Sequence, residues 1–336
     1  MHAIGFTQHL PLDDPQSLRD LDLPKPTPAG RDLLVAVDAV SVNPVDLIGL
    51  TTKDATPDHP VVLGWDAVGT VDAVGPDVTL FKPGDRVFYS GDFNRAGSDA
   101  DYQLIDERIV GNAPKKLGIA ESAAMPLTAM TAWEALFEQL GIDPHADNHG
   151  KTLLVINGAG GVGSVATQLA HWAGLTVIAT ASRPETIAWT KDHGTDAVVN
   201  HRQDIVPQVR ALGHQYVDYI LELSNLNQHW AEIVDLIKPS GKIVSITGSS
   251  EPLDLVALKR KRATFAWEWM FTKAFFQTDD MLTQHHTLNE ISRLLDSGEL
   301  TSTLTKTITP LDAEHLRQAF QLVASHKMMG KVVLKK

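Results

Sequence analysis

The chain has 336 residues, enough for two domains of ordinary size, and its 43% hydrophobic and 21% charged residues describe a folded rather than a disordered protein. A formal charge of -12 disfavours a general nucleic-acid or anionic-membrane surface, while leaving room for a local basic pocket that takes a phosphorylated cofactor. With no cysteine, disulfides, thiolate nucleophiles, cysteine-ligated zinc and iron–sulfur clusters are excluded together, so a metal would need His, Asp and Glu alone.

The first residues, MHAIGFTQHLPLDD, lack the basic start and continuous apolar core of a secretory signal, and the cytoplasm is the expected location. Up to about residue 110 the chain reads as short strands broken by turns. Residues 32–42 alternate around Val35 and Val37, residues 68–74 follow, and GPD at 75–77 marks a turn. KPGD at 82–85 places Pro before Gly as a type II turn prefers, and RVFY then resumes a strand. This part predicts an all-β barrel or sandwich. From Met125 the period becomes helical, with Leu127, Met130, Thr131, Ala135 and Leu136 on one stripe and Pro126 near the start.

Strands are then expected at 152–157, 175–181, 196–199, 217–222 and 242–247, with helical segments between most of them, which implies a parallel sheet covered on both faces. Residues 152–182 contain no Asp, Glu, Lys or Arg, but their glycines and the polar Asn157, Gln168 and His171 argue for strand, turn and buried helix rather than a membrane span. In ATFAWEWMF (263–271), Phe265, Trp267, Trp269 and Phe271 alternate and are expected to share one face of a strand as core packing. A helix over 278–298, capped by Thr278 or Asp279, and a final helix and strand (GKVVL) complete the chain. Lys259 to Arg262 read as a solvated flank.

The most informative segment runs from the strand at 152–157 into Gly158-Ala159-Gly160-Gly161-Val162-Gly163, a G-x-G-x-x-G. It continues into a helix whose Val165, Ala166, Leu169, Ala170 and Ala173 share a stripe. A pyrophosphate must approach backbone amides at the positive end of a helix; a β-carbon at the second glycine blocks that approach, and one at the third pushes helix from strand. In its strand–turn–helix–strand setting the loop predicts dinucleotide binding. An NAD site would place Asp or Glu about twenty residues further on, against the ribose 2′-hydroxyl. This chain has Thr180, Ala181, Ser182 and Arg183 there, and a hydroxyl beside a guanidinium suits the 2′-phosphate of NADPH. Ser182 and Arg183 also suit simple capping of the next helix. His201, past the third strand, either closes the same pocket or stands on an exposed loop.

Several motifs in order carry a family resemblance over essentially the whole chain: SVNPVDLIG (41–49), LGWDAVGTVDAVGPDV (63–78), FKPGDRV (81–87), PLTAMTAWEAL (126–136) and INGAGGVGSVATQLA (156–170). The chain resembles the medium-chain dehydrogenases and reductases, and more closely their zinc-free quinone oxidoreductase branch, including members labelled zinc-type alcohol dehydrogenase-like proteins. The resemblance implies an α/β fold in which a doubly wound Rossmann sheet (123–272) is inserted into a GroES-like β-barrel domain (1–122 plus 273–336). It also implies an active site in the cleft between them, and a homodimer paired through the last Rossmann strand.

Zinc alcohol dehydrogenases of this superfamily hold their catalytic metal with Cys near the first motif, a His in Gly-His-Glu, and a third Cys or acidic ligand. Here the first region reads Ser41-Val42-Asn43-Pro44, Trp65 stands at the His position, and Asp66 is left without partners, so no metal is expected. The pairs His145/His149 and His285/His286 read as solvated histidines.

Without a metal, hydride transfer suits quinones and α,β-unsaturated carbonyls, whose acceptor oxygen spreads the arriving charge. The expected activity is NADPH-dependent reduction of such acceptors; the alternatives are an NADPH sensor or structural protein with little turnover, and a zinc alcohol dehydrogenase. By resemblance Asn43 is the polar candidate near the nicotinamide, or else an Asn that shapes the turn before Pro44. Trp65, Tyr89 and Phe93 line an apolar substrate cleft or form β-domain core. Related reductases carry a Tyr soon after Asn-Pro-x-Asp, whereas DLIGLTTKDA has none; solvent is left as the proton source. Asp66 reads as a polar anchor of the β domain.

Overall fold

The computed structural model describes residues 1–336. In chain order its elements begin with β1 (His2–Phe6), β2 (Arg19–Asp22), β3 (Asp32–Ser41), α1 (Pro44–Thr52), β4 (Val61–Val62), β5 (Ala67–Val74), β6 (Arg86–Tyr89), β7 (Tyr102–Asp106) and β8 (Val110–Asn112). There follow α2 (Ile119–Ala123), α3 (Pro126–Trp133), β9 (Thr152–Ile156), α4 (Gly161–Trp172), β10 (Thr176–Thr180), α5 (Pro184–Asp192), β11 (Ala197–Val199), α6 (Ile205–Ala211), β12 (Val217–Glu222), α7 (Leu226–Leu236), β13 (Ile237–Ser245) and β14 (Thr264–Trp267). The chain closes with α8 (Thr272–Phe276), α9 (Leu282–Ser297), β15 (Leu304–Ile308), α10 (Ala313–Ala324) and β16 (Lys331–Lys335). It divides into two units, Met1–Met130 with Phe271–Lys336, and Thr131–Met270.

The first unit is built around β3. One edge of β3 pairs antiparallel with β5; along the other, residues 32–36 take β7 and residues 39–41 take β16. The sheet runs β15-β16-β3-β5-β6-β8, and a smaller one runs β2-β1-β4. Gly69 of β5 meets β3 so closely that a β-carbon there would lie 2.2 Å from the Ala36 carbonyl oxygen. The 82–85 turn forms as its sequence requires: Gly84 has φ +92° and the Asp85 amide donates to the Lys82 carbonyl. The tail returns to this unit through β16, with Val333 opposite Ser41.

The second unit carries six parallel strands in the order β11-β10-β9-β12-β13-β14, helices alternating with them: a doubly wound sheet of Rossmann type. Every residue of β9 is buried, as a strand covered on both faces must be. Helix α4 is buried from Gly163 through Ala170, which accounts for the long uncharged stretch. No helix is long and apolar enough to cross a membrane.

The structure corrects five points of the sequence reading. Strand β14 stops at Trp267, and Trp267 and Trp269 are 49% and 40% exposed instead of core, because β14 is the sheet's edge and its outer side has no neighbouring strand. Helix α9 starts at Leu282 after Met281, not at Thr278 or Asp279; the Met281 amide turns back to Thr278 and the Thr283 amide to Asp280, which delays the helix. His285 is buried, with Nδ1 2.6 Å from the Val110 carbonyl oxygen, so the solvated reading fails for it. Strand β13 starts at Ile237 rather than 242, and β15 was missed because LTKTI is largely exposed.

Candidate functional site

The glycine loop follows β9. Asn157 adopts φ 74°, a left-handed turn that few side chains tolerate, and two bonds fasten the loop to the end of β10. The Asn157 amide donates to Thr180 Oγ1 (2.9 Å) and the Gly158 amide to the Thr180 carbonyl (3.0 Å). A β-carbon on Gly163 would sit 2.2 Å from the Asn157 carbonyl oxygen, so the third glycine lets α4 pack onto β9. On Gly158 it would meet the Ala179 β-carbon at 2.7 Å. The first-turn amides of α4, at Gly161, Val162 and Gly163, have no acceptor within the helix and carry its positive end.

Beyond Thr180, the half-buried Ser182 and Arg183 precede α5. The Arg183 amide donates to Thr186 Oγ1 (3.1 Å), and its Nε lies 3.0 Å from the carboxylate of Glu185, itself 59% exposed. So exposed an ion pair is weak and yields readily to a doubly charged anion. His201 follows β11, with Nδ1 3.3 Å from Thr180 Oγ1. Burial lowers its pKa, and the neighbouring His229, Arg202 and Arg183 act in the same direction. The fold thus gathers Ser182, Arg183 and His201 around Thr180 at the ends of β10 and β11, with Arg202 nearby. Arg202 escaped sequence reading, and Asn157, sitting between strand and first glycine, was read only as a polar residue of the uncharged stretch.

In the first unit a polar cluster forms where α1, the loop before β5 and β16 meet. Asn43 is 1% exposed and precedes α1. Its amide N–H donates to Asp46 (2.6 Å), its Nδ2 to the Ser41 carbonyl and to Asp66 (both 3.2 Å), and its Oδ1 accepts from Lys331 Nζ. Every polar atom of the Asn43 side chain is therefore engaged inside the unit, the geometry of a turn-shaping residue. Asp66 is fully buried; it accepts the Leu127 amide at 3.1 Å and pairs with Lys331 Nζ at 3.3 Å. Burial pushes Asp46 up to about 7 and Asp66 up to about 6, and lowers Lys331, with the lysine charge opposing both carboxyl shifts.

This donor set does not suit zinc. The cationic place beside Asp66 is taken by an ammonium, Trp65 carries no metal-ligating atom, and no group of three or more His, Asp or Glu is arranged to hold a metal.

Trp65 is fully buried, with Nε1 donating to the Asp92 carbonyl (3.2 Å), its ring stacked on Phe93 (centroids 4.9 Å apart) and met edge-on by Phe271 (5.9 Å). Tyr89 is also fully buried and its hydroxyl lacks a partner. Of the three aromatics expected to line a substrate site, Trp65 and Tyr89 are core in this structure, and only Phe93 keeps exposed area.

A Rossmann sheet with this loop, in a chain with a GroES-like β-rich unit, defines a dinucleotide-binding oxidoreductase. Residues 29–132 match the alcohol dehydrogenase GroES-like domain and residues 161–284 the zinc-binding dehydrogenase family. The zinc-type alcohol dehydrogenase-like protein SAS2087 of Staphylococcus aureus (strain MSSA476) is 45% identical over 99% of both chains. Human quinone oxidoreductase is 31% identical over 70% of this chain and 69% of its own. Among solved structures, a candidate zinc-dependent alcohol dehydrogenase of Rhizobium etli CFN 42 has TM-score 0.95 and 46% identity, covering 100% of this chain and 98% of the other. Mycobacterial Rv1454c complexed with NADPH has TM-score 0.83 and 26% identity, with both chains fully covered. The chain belongs to the medium-chain dehydrogenase/reductase superfamily.

Proposed function

We propose that this protein is an NADPH-dependent reductase that works without a metal and passes hydride to quinones or α,β-unsaturated carbonyls. The observation that carries the reading is the end of β10, where Ser182 and Arg183 stand in place of a carboxylate with His201 and Arg202 close by. An acidic residue there would repel a 2′-phosphate; a guanidinium and a hydroxyl bind it with charge-assisted bonds. The NADPH held by the mycobacterial relative and the human quinone oxidoreductase match support the same reading. When bound, the dihydronicotinamide supplies the hydride. The chain's own part is to seat the pyrophosphate on the α4 amides and hold the ribose phosphate through Arg183.

Metal independence is supported by Lys331, which already neutralises Asp66. The outer edge of β14, with Trp267 beside it, supports pairing with a second copy, which light scattering tests. The deciding assay follows NADPH absorbance with a panel of quinones, enones and aldehydes, with and without chelator. Chelator-insensitive reduction of quinones or enones is expected. Tight NADPH binding without turnover would replace the reading with a sensor, and chelator-sensitive alcohol oxidation would overturn the metal argument.

A further inference from the structure

We propose that Glu222 is a positioning residue for the nicotinamide half of the dinucleotide: its buried carboxylate fixes the two turns, after β12 and after β13, that seat this half. The proposal rests on the cofactor reading above, and every residue it uses belongs to the unit Thr131–Met270.

The strand order β11-β10-β9-β12-β13-β14 is that of two mononucleotide-binding halves joined between β9 and β12, where the chain reverses its direction across the sheet. A dinucleotide lies across the carboxyl ends of the strands at such a point. Ser182 and Arg183 follow β10 and assign the phosphorylated ribose to the first half. The nicotinamide nucleotide then falls to the ends of β12 and β13.

Glu222 is the last residue of β12, opposite Ile156 of β9 and Ser245 of β13, and it is fully buried. One carboxylate oxygen accepts the Ser224 amide (2.6 Å); the other accepts Ser245 Oγ (2.8 Å) and Thr247 Oγ1 (2.5 Å). Its backbone carbonyl accepts the Ile246 amide at 3.2 Å. These partners are neutral donors rather than a cation, and a buried carboxylate so placed costs stability that an apolar residue would spare. Three donors from two turns converge on it, so the carboxylate decides how residues 223–225 and 246–248 run. The glycine loop adjoins the same place, with Asn157 Nδ2 3.5 Å from the Leu223 carbonyl oxygen.

Above this brace Ser224 and Gly248 are exposed. Gly248 is not among the glycines with positive φ, and a β-carbon on it would meet no atom within 4 Å. Neither backbone nor packing calls for glycine there, whereas close approach of a ligand does. The carboxamide and ribose hydroxyls of a nicotinamide nucleotide are uncharged, so hydrogen-bonding groups held in position, not charge, must seat them.

The test titrates the full chain with NADPH and with 2′,5′-ADP, which carries the phosphorylated adenosine half without nicotinamide. Glu222→Gln keeps the volume but turns an N–H donor onto a place where donors converge, and Thr247→Val removes one of those donors. Each is expected to weaken NADPH by about tenfold, the scale of one hydrogen bond to a charged group, and to keep the affinity for 2′,5′-ADP. Thr247→Ser is expected to restore NADPH binding. Gly248→Ala, which strikes nothing in the protein, is expected to keep the thermal midpoint and weaken NADPH alone, and it decides the matter if Glu222→Gln folds poorly. Unchanged NADPH affinity in Glu222→Gln or in Gly248→Ala overturns the proposal, as does an equal loss of both ligands in Glu222→Gln. A wild type that binds NADH but not 2′,5′-ADP overturns the NADPH reading instead; NADH and ADP then take the places of the two ligands, and the same comparison decides on Glu222.

Discussion

Replacing Lys331 with methionine keeps most of the side-chain volume and removes the charge, so it isolates what the ammonium does. In the native structure Lys331 is 3% exposed, pairs with Asp66 at 3.3 Å, and donates to the Val42 carbonyl (2.8 Å) and to Asn43 Oδ1. Removing one partner of a buried pair costs about 3–5 kcal/mol, chiefly because the other charge is stranded. Asp66 can retreat from that penalty by taking a proton. Its carboxyl lies at about 6 with the lysine present, and loss of the lysine pushes it higher; Asp46, at about 7 beside the same cation, moves in the same direction.

At pH 8 both carboxyls must be protonated against the solution or remain charged without compensation, and the full loss is expected. At pH 5 they are protonated already, and what remains is about 1–3 kcal/mol for acceptors left without a donor. The sign follows from linkage. An acid whose folded pKa exceeds its unfolded value stabilises fully below the unfolded value, and the contribution disappears as pH rises through the folded one. The variant therefore falls off more steeply than wild type between pH 5 and pH 8. Urea unfolding at the two pH values, with hydrogen exchange of the β3 and β16 amides locating the change, measures it. Equal losses at both pH values, or a loss under about 1 kcal/mol at pH 8, would refute the reasoning.

Arg183→Ala is expected to weaken NADPH binding by about one to two orders of magnitude in a fluorescence titration while sparing NADH, the scale of a charge-assisted contact. Equal losses for both cofactors would remove Arg183 from the phosphate site. Gly163→Ala places a methyl 2.2 Å from the Asn157 carbonyl oxygen, so it is expected to lower the thermal midpoint and weaken both cofactors together; an unshifted midpoint counts against the packing role of that glycine. Glu268 is pushed up to about 9 by burial and by the adjacent Glu134. Wild-type stability should therefore decline as pH rises from the ordinary carboxyl range through about 9, and Glu268→Gln should flatten that decline. Parallel thermal midpoints across pH 6–10 would refute it.

How much was readable depended on the distance between partners along the chain. The run from residue 152 to residue 183 is local: a strand, a glycine turn, a helix and a second strand follow one another, and each is marked by period, turn residue or charge within a few positions. The likeness of that run and of the N-terminal motifs to a known superfamily was readable for the same reason, and so was the tryptophan at position 65 where a zinc enzyme would need histidine.

What resisted reading was long-range. Asn43 and Lys331 lie 288 residues apart, and only the pairing of β16 with β3 brings the ammonium onto Asp66. Alternation at Phe265, Trp267, Trp269 and Phe271 pointed to one buried face, yet which strand forms the edge of a sheet is a property of strand order, and Trp267 and Trp269 emerge exposed. Adjacent His285 and His286 look alike in sequence; the carbonyl of Val110, from a strand far back in the chain, buries the first.

Sequence alone thus determined the dinucleotide loop, the alternation that makes a parallel sheet, and the missing metal ligands, since periodicity, turn chemistry and residue type are local properties. Tertiary structure decided where charges are neutralised and which aromatics stay wet. Burial and electrostatic pairing depend on what distant segments bring, and they set Asn43 against the buried pair of Asp66 and Lys331.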